Sequence, residues 1–218
     1  MPEDIPIESF PELLELPGLA HGFVCRQRGV GVSLDRDQTL ANLHDGFCAA
    51  VEQLGGDPLQ VASAEQVHGG EVVAVESPGQ VDGVDGLITD TRGLGLRIVV
   101  ADCCAVFLVD PVRRAIGLVH SGKKGTEAGI AATAIRAMRS AYGCRPADLR
   151  VRLSPCIRPP AYEVDFAAAI RAQVAEAGVL PGAIFDDGVC TASHLDRYYS
   201  YRAEKGATGR MLAVLGLL

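Results

Sequence analysis

The chain has 218 residues, 48% of them hydrophobic and with no long polar tract, which suits one folded domain over residues 1–218 and excludes a disordered polymer. With 27 acidic against 20 basic residues the formal charge is −7, and Lys and Arg occur only in short local groups, so no general nucleic-acid surface is expected and small molecules are the favoured partners. The first twenty residues are acidic and broken by four prolines, unlike an export signal, and no apolar stretch reaches the roughly 20 residues of a membrane-spanning helix, so a soluble cytoplasmic protein is expected.

From Thr39 to Leu54, apolar residues at Leu43, Phe47, Val51 and Leu54 fall on one helical face, and Gly55-Gly56-Asp57-Pro58 stops the helix. Between Glu71 and His120 the pattern changes to short runs, EVVAVE, DGLITD, LRIVVA, CAVFLVD and AIGLVH, separated by Gly, Asp and Pro; these predict strands. IVVA and VFLV are apolar throughout and should lie in a sheet covered on both faces. Ser121-Gly122 then turns into a helix from Gly125 to Tyr142, whose stripe is Ile130, Ala131, Ala134, Ile135, Met138 and Ala141. VRLSPC reads as a strand, Phe166 to Ala177 as a helix ended by Gly178, and Leu212 to Leu217 as a last strand or packed tail. No internal repeat or linker interrupts this α/β (α+β) order.

Seven cysteines, at no repeating interval, do not form a disulfide framework; they read as free thiols or metal ligands. Reactive residues stand where strands run out: His68 after Ser63 to Val67, Cys103 after Leu96 to Ala101, and His120 at the end of Ala115 to Val119. Strand ends on the same side of a sheet converge on a cleft, so the three are expected on one rim. Two imidazoles and a thiolate suit zinc, which keeps a fourth position open in catalytic sites. Spacing alone leaves open a metal-free Cys103–His120 nucleophile pair, as well as a buried thiol with two unrelated histidines.

His120-Ser-Gly-Lys-Lys-Gly125 joins a strand, a small turn and two lysines at a helix start, either an anion cradle or a pair of solvated charges. Gly117 to Lys124 nearly matches a phosphate-binding P-loop, but Lys124 stands where that motif has the Ser or Thr that ligates magnesium. Ser121 to Lys124 fits S-x-x-K without the companion S-D-N and K-T-G triplets of penicillin-binding enzymes.

Five ordered motifs resemble the YfiH/laccase-domain family: Gln66-Val-His68-Gly, Ala101-Asp-Cys103, Val119-His120-Ser-Gly, Pro155 to Val164, and Cys190-Thr191 with Tyr199-Ser-Tyr-Arg202 and Thr208-Gly-Arg210. His21-Gly-Phe with Arg26, Gly31-Val-Ser33 and Asn42-Leu43 are weaker echoes. The resemblance implies mixed β-sheets packed between helices in a YfiH-like single domain. It further implies zinc on His68, Cys103 and His120, which would be the catalytic residues, and substrate contacts from Arg26, Asn42 and Gln66; Lys124, from the candidate anion cradle, is the fourth expected substrate contact. The activity implied is phosphorolysis of adenosine, inosine, guanosine and methylthioadenosine, with adenosine deamination. Independently of the resemblance, a monomer or small homo-oligomer is expected.

Two departures qualify this. Lys123 and Lys124 stand where the family has Trp and Arg, which keeps charge but loses the planar fork that grips phosphate, and the Val164 to Ile184 stretch is shorter, as if a cleft wall were missing. The family's older description implies a copper-dependent polyphenol oxidase as the alternative enzyme, although Met1, Met138 and Met211 are distant in sequence from the trio and so offer no evident axial ligand. A Cys-His hydrolase or a non-catalytic ligand-binding protein on the same fold remains as the third reading.

Overall fold

A computed structural model describes residues 5–218, in a mixed α/β arrangement of two six-stranded sheets and five helices. In chain order these are β1 (Ile7–Glu8), α1 (Pro11–Leu14), β2 (Leu19–Val24), α2 (Arg36–Gln53), β3 (Val61–Ala64), β4 (Val72–Ala74), β5 (Gly79–Val81) and β6 (Gly86–Thr89). There follow β7 (Gly95–Val100), β8 (Cys104–Asp110), β9 (Ala115–Ser121), α3 (Lys123–Glu127), α4 (Ile130–Tyr142), β10 (Arg150–Leu153), α5 (Phe166–Glu176), β11 (Ile184–Phe185) and β12 (Met211–Leu217). The first sheet runs β1-β2-β12-β7-β3-β5 and the second β11-β10-β8-β9-β6-β4. Both mix parallel and antiparallel pairs.

Alternation along the strands decides how the layers stack. In β8, Ala105, Phe107 and Val109 join the core between the sheets, while Val106 and Leu108 join a second core with Ile135 and Met138 of α4 and Ile170 of α5. β9 does the same: Ile116 and Leu118 point between the sheets, and Val119 points to the helices. On the outer face of the first sheet, Leu43, Phe47 and Val51 of α2 complete the inter-sheet core's cluster. The order of layers is therefore helix, sheet, sheet, helices.

Several sequence expectations are refined. α2 begins three residues before Thr39 because Asp35 caps it, its side chain accepting from the Asp37 and Gln38 amides at 3.0 Å each. The helix expected from Gly125 to Tyr142 is two helices, since Gly129 adopts a left-handed φ of 70° between α3 and α4. β7 is not covered on both faces throughout: Arg97 and Val99 remain partly exposed, whereas all of β8 is buried. The final strand is no tail, for β12 lies inside the first sheet between β2 and β7. The 164–184 segment carries α5, whose Phe166 helps to line the main cleft.

All seven cysteines are free. Among the described residues no helix is long and apolar enough to cross a membrane.

Candidate metal centre

β3 stops at Ala64, and the Gln66 side chain continues its ladder: Nε2 donates to the Val99 carbonyl at 2.7 Å and Oε1 accepts from the Val99 amide at 3.0 Å. Both ends of that amide are thereby used on the backbone. Two residues on, His68 has a φ of 62°, a left-handed conformation that costs a non-glycine residue about 1–3 kcal/mol. The compensation is visible. The amides of Val67, His68 and Gly69 all donate to the Asp85 carboxylate, at 3.2, 2.9 and 2.6 Å.

The same carboxylate orients the second histidine. Asp85 Oδ1 lies 2.7 Å from His120 Nδ1, so a proton there donates to Asp85 and leaves Nε2 as the free nitrogen. His120 reaches this place because it continues the Ile116-Leu118 face of β9 to the edge of the inter-sheet core. Burial alone would raise the Asp85 pKa, but the bonds from His120 and the Gly69 and His68 amides outweigh it and hold the carboxyl below its ordinary value. Asp85, fully buried, is the residue that sequence reasoning missed. Its place before Gly86 at a strand start reads as turn chemistry, and only the fold brings it within reach of two histidine segments.

Cys103 comes from the short connection between β7 and β8, where the chain passes from one sheet to the other. The preceding residue, Asp102, has a φ of 83° and is held on three sides: its carboxylate accepts from Thr191 Oγ1 and the Arg202 amide, both at 2.7 Å, and its carbonyl accepts from the Ile157 amide at 2.8 Å. Across from the thiol, Gly122 leaves room that a side chain would fill, because a Cβ there would run into Cys103 Sγ. The trio thus meets at the seam between two sheets and not along the rim of one, since β3 and β7 belong to the first sheet and β9 to the second. One ligand atom from each of His68, Cys103 and His120 lies within 4.8 Å of the others, and the two imidazoles stand nearly perpendicular at 4.7 Å between ring centres. Two nitrogens and a thiolate, one imidazole backed by a carboxylate, form a donor set that fits a metal such as zinc or copper.

The trio opens into a cleft of about 860 Å³. Six cations line it, Arg36, Lys123, Lys124, Arg202, Lys205 and Arg210, even though the chain as a whole is acidic. Their scatter along the sequence hid this grouping. Tyr162 and Phe166 form an aromatic wall, their rings 6.0 Å apart at a steep angle, with the Arg202 guanidinium 4.7 Å above the Tyr162 ring.

Gln66 and Lys124 line this cleft; Arg26 and Asn42 stand outside its lining. Asn42 donates to the Gly31 carbonyl at 2.9 Å, fastening the loop before α2. Arg26 pairs with Glu204 at 2.7 Å, and Glu204 also accepts from the Ser200 amide at 3.0 Å and Thr208 Oγ1 at 2.6 Å. Arg26 therefore secures the loop that presents Arg202, Lys205 and Arg210 to the cleft. Burial tends to raise the Glu204 pKa, but Arg26, Ser200 and Thr208 hold it below the ordinary value. A depressed carboxyl stabilises the fold above its unfolded pKa, about 4.3, and that contribution is lost as the pH falls through the folded value. Melting curves between neutral and acid pH should therefore show a loss in wild type that is reduced in Glu204→Gln; identical pH profiles would refute this role.

A family model described as multi-copper polyphenol oxidoreductase laccase matches residues 28–169 and 162–218. The chain belongs to this family. Among similar members of the laccase-type family, a Deinococcus radiodurans protein named purine nucleoside phosphorylase is 33% identical over 94% of this chain and 92% of its own. A Streptomyces griseus protein, also named a purine nucleoside phosphorylase, is 37% identical over 137 residues, covering 61% of this chain and about half (54%) of that relative. The crystal structure of YlmD from Geobacillus stearothermophilus superposes with a TM-score of 0.84 at 26% identity, covering 93% of each chain.

Proposed function

We propose that this laccase-family chain is a zinc-dependent purine nucleoside phosphorylase, acting on adenosine, inosine, guanosine and methylthioadenosine, that also deaminates adenosine. The observation that carries the reading is the meeting of His68, Cys103 and His120 at the base of a cleft lined by cations and aromatic rings. The relatives named purine nucleoside phosphorylase support the phosphorolysis part of this reading.

In phosphorolysis a phosphate oxygen bonds to C1′ of the ribose while the bond from C1′ to the purine breaks, its electron pair leaving with the base, which takes up a proton. Lys124, with Lys123, brings positive charge to the phosphate, and Tyr162 and Phe166 offer a surface on which the purine can stack. His68 and His120, fixed through Asp85, and Cys103, fixed through Asp102, are the residues that would hold zinc. When bound there, zinc supplies a Lewis acid able to polarise a substrate oxygen or activate water for deamination. Zinc is favoured over copper because two imidazoles and a thiolate would suit zinc, and the methionine sulfurs that a copper site would draw on are engaged elsewhere: Met211 Sδ accepts from the Tyr199 amide at 3.0 Å and Met138 is buried in the core beside α5.

Purified zinc-loaded protein incubated with adenosine and phosphate is expected to release adenine and ribose 1-phosphate, with inosine from deamination. Chromatography that finds none of these products would overturn the proposal. Metal analysis should find about one zinc per chain in wild type and little in His68→Ala or Cys103→Ala. Oxygen uptake with a phenol, seen only with copper-loaded protein, would establish the oxidase instead.

A further inference from the structure

Four of the cleft's six cations come from parts of the chain remote from α3; Arg202 faces Glu163 at 3.1 Å, and among the described residues the other three have no such close partner beyond their own neighbours. Arg36 opens α2, Lys205 sits in the turn after Tyr201 with a left-handed φ of 53°, and Arg210 immediately precedes β12. The register fixes where Arg210 stands. Met211 pairs with Val100, so Arg210 lies level with Ala101, two residues from the Cys103 ligand.

Arg210 is only partly exposed, and its hydrogen bonds go back to its own segment: Nη1 donates to the Thr208 and Gly209 carbonyls at 3.2 and 2.8 Å. That leaves Nε and Nη2 of the fork without a protein partner among the described residues. Gly209 makes this approach feasible, since any Cβ there would collide with the Tyr199 ring. Elsewhere this acidic chain matches its sheltered arginines with carboxylates: Arg26 with Glu204, Arg152 with Glu12, and Arg158 with Asp186. Arg210 and Lys205 have no such partner among the described residues, and Arg36 reaches only its neighbour Asp37, at 3.8 Å. Burial, reinforced by the nearby charge of Arg36, pushes the Arg210 pKa down. Cations gathered beside one another without carboxylates are relieved by an anion, and a guanidinium fork suits two oxygens of one phosphate.

We propose that Arg210, with Arg36 and Lys205, forms an oxyanion subsite for a phosphate group beside the metal trio. This rests on the phosphorylase reading for its place in the reaction, but the subsite itself is a matter of binding. The group is either inorganic phosphate, the attacking reactant, or the phosphate ester of a nucleotide seated in the cleft. Lys124 then serves as a point charge, and the directional grip comes from Arg210.

Calorimetric titration of zinc-loaded full-length protein with inorganic phosphate, and separately with adenosine 5′-monophosphate, tests this. For at least one probe, Arg210→Gln is expected to weaken binding about tenfold or more, and Arg36→Gln by a smaller factor. Zinc content and melting temperature of each variant establish that it is folded, and partial recovery in Arg210→Lys would report the lost fork. Dependence on Arg210 for inorganic phosphate identifies the reactant's site; dependence for the monophosphate alone identifies an ester site. If neither probe binds wild type, or if both bind folded Arg210→Gln and Arg36→Gln within twofold of wild type, the subsite is refuted. Arg210-dependent binding without adenine or ribose 1-phosphate formation would leave the subsite standing and refute the phosphorylase reading. Products formed with Arg210-independent binding would do the reverse.

Discussion

Gly122→Ala is expected to empty the metal centre while leaving the fold in place. The new methyl group would occupy the space of Cys103 Sγ and come within 4.0 Å of His68 Cδ2. The backbone at Gly122 cannot retreat. Ser121 ends the buried strand β9 and its hydroxyl lies 2.8 Å from Thr126 Oγ1, while the Thr126 amide donates to the Gly122 carbonyl at 2.8 Å. The thiol must therefore turn away, and the centre loses its sulfur ligand. Metal affinity should fall by more than the roughly 10- to 100-fold typical of losing an outer-shell partner. The cost to stability should stay near 1–3 kcal/mol, the usual range for overpacking. Competition with a chelator, followed by thermal melts, measures both; a variant that held metal as tightly as wild type would show that the sulfur is no ligand.

Asp85→Asn should weaken both the fold and the centre, although it changes only one group of the side chain. The carboxylate accepts four bonds and donates none, three from consecutive amides and one from His120. An amide nitrogen in place of either oxygen would face donors in a fully buried position. Each unsatisfied buried donor costs about 1–3 kcal/mol, so a loss of about 2–4 kcal/mol is expected in denaturant titrations. Metal affinity should drop about 10- to 100-fold, because His120 loses the partner that fixes its tautomer and the loop that carries His68 is released. Asp85→Asn protein with wild-type stability and metal affinity would mean that the carboxylate merely fills space.

Sequence reasoning reached His68, Cys103 and His120 from two signals: apolar runs that end on a polar residue, as AIGLV does at His120, and the motifs shared with the laccase-domain family, which single out His68 although it stands four residues past the end of β3 at Ala64. The helix start at Asp35 was less legible, since Arg36, Asp37 and Gln38 are polar and the apolar stripe begins later. Asp85 left no signal of its own, as its four bonds join segments 16 to 35 residues away. The cationic wall was hidden for a similar reason, because Arg36, Lys124 and Arg210 are neighbours only once α2, α3 and β12 are in position. Likewise Arg26 was legible as a landmark, but its work, through Glu204 on the loop at 200–208, depends on a pairing 178 residues apart in number. Local patterns mark where a reactive group stands; partners supplied by distant segments do not appear in them.

The passage of the chain from β7 into β8 at residues 101–103 has a kinetic meaning. Each sheet by itself holds an incomplete set of ligands: His68 follows β3 of the first, His120 ends β9 of the second, and Cys103 lies in the step between. The three can converge only after the two sheets have docked and water has left the face that bears Phe107, Ile116 and Leu118. Tight capture of a metal ion during refolding would thus act as a clock for that late docking event, reporting tertiary assembly and not the earlier appearance of strands.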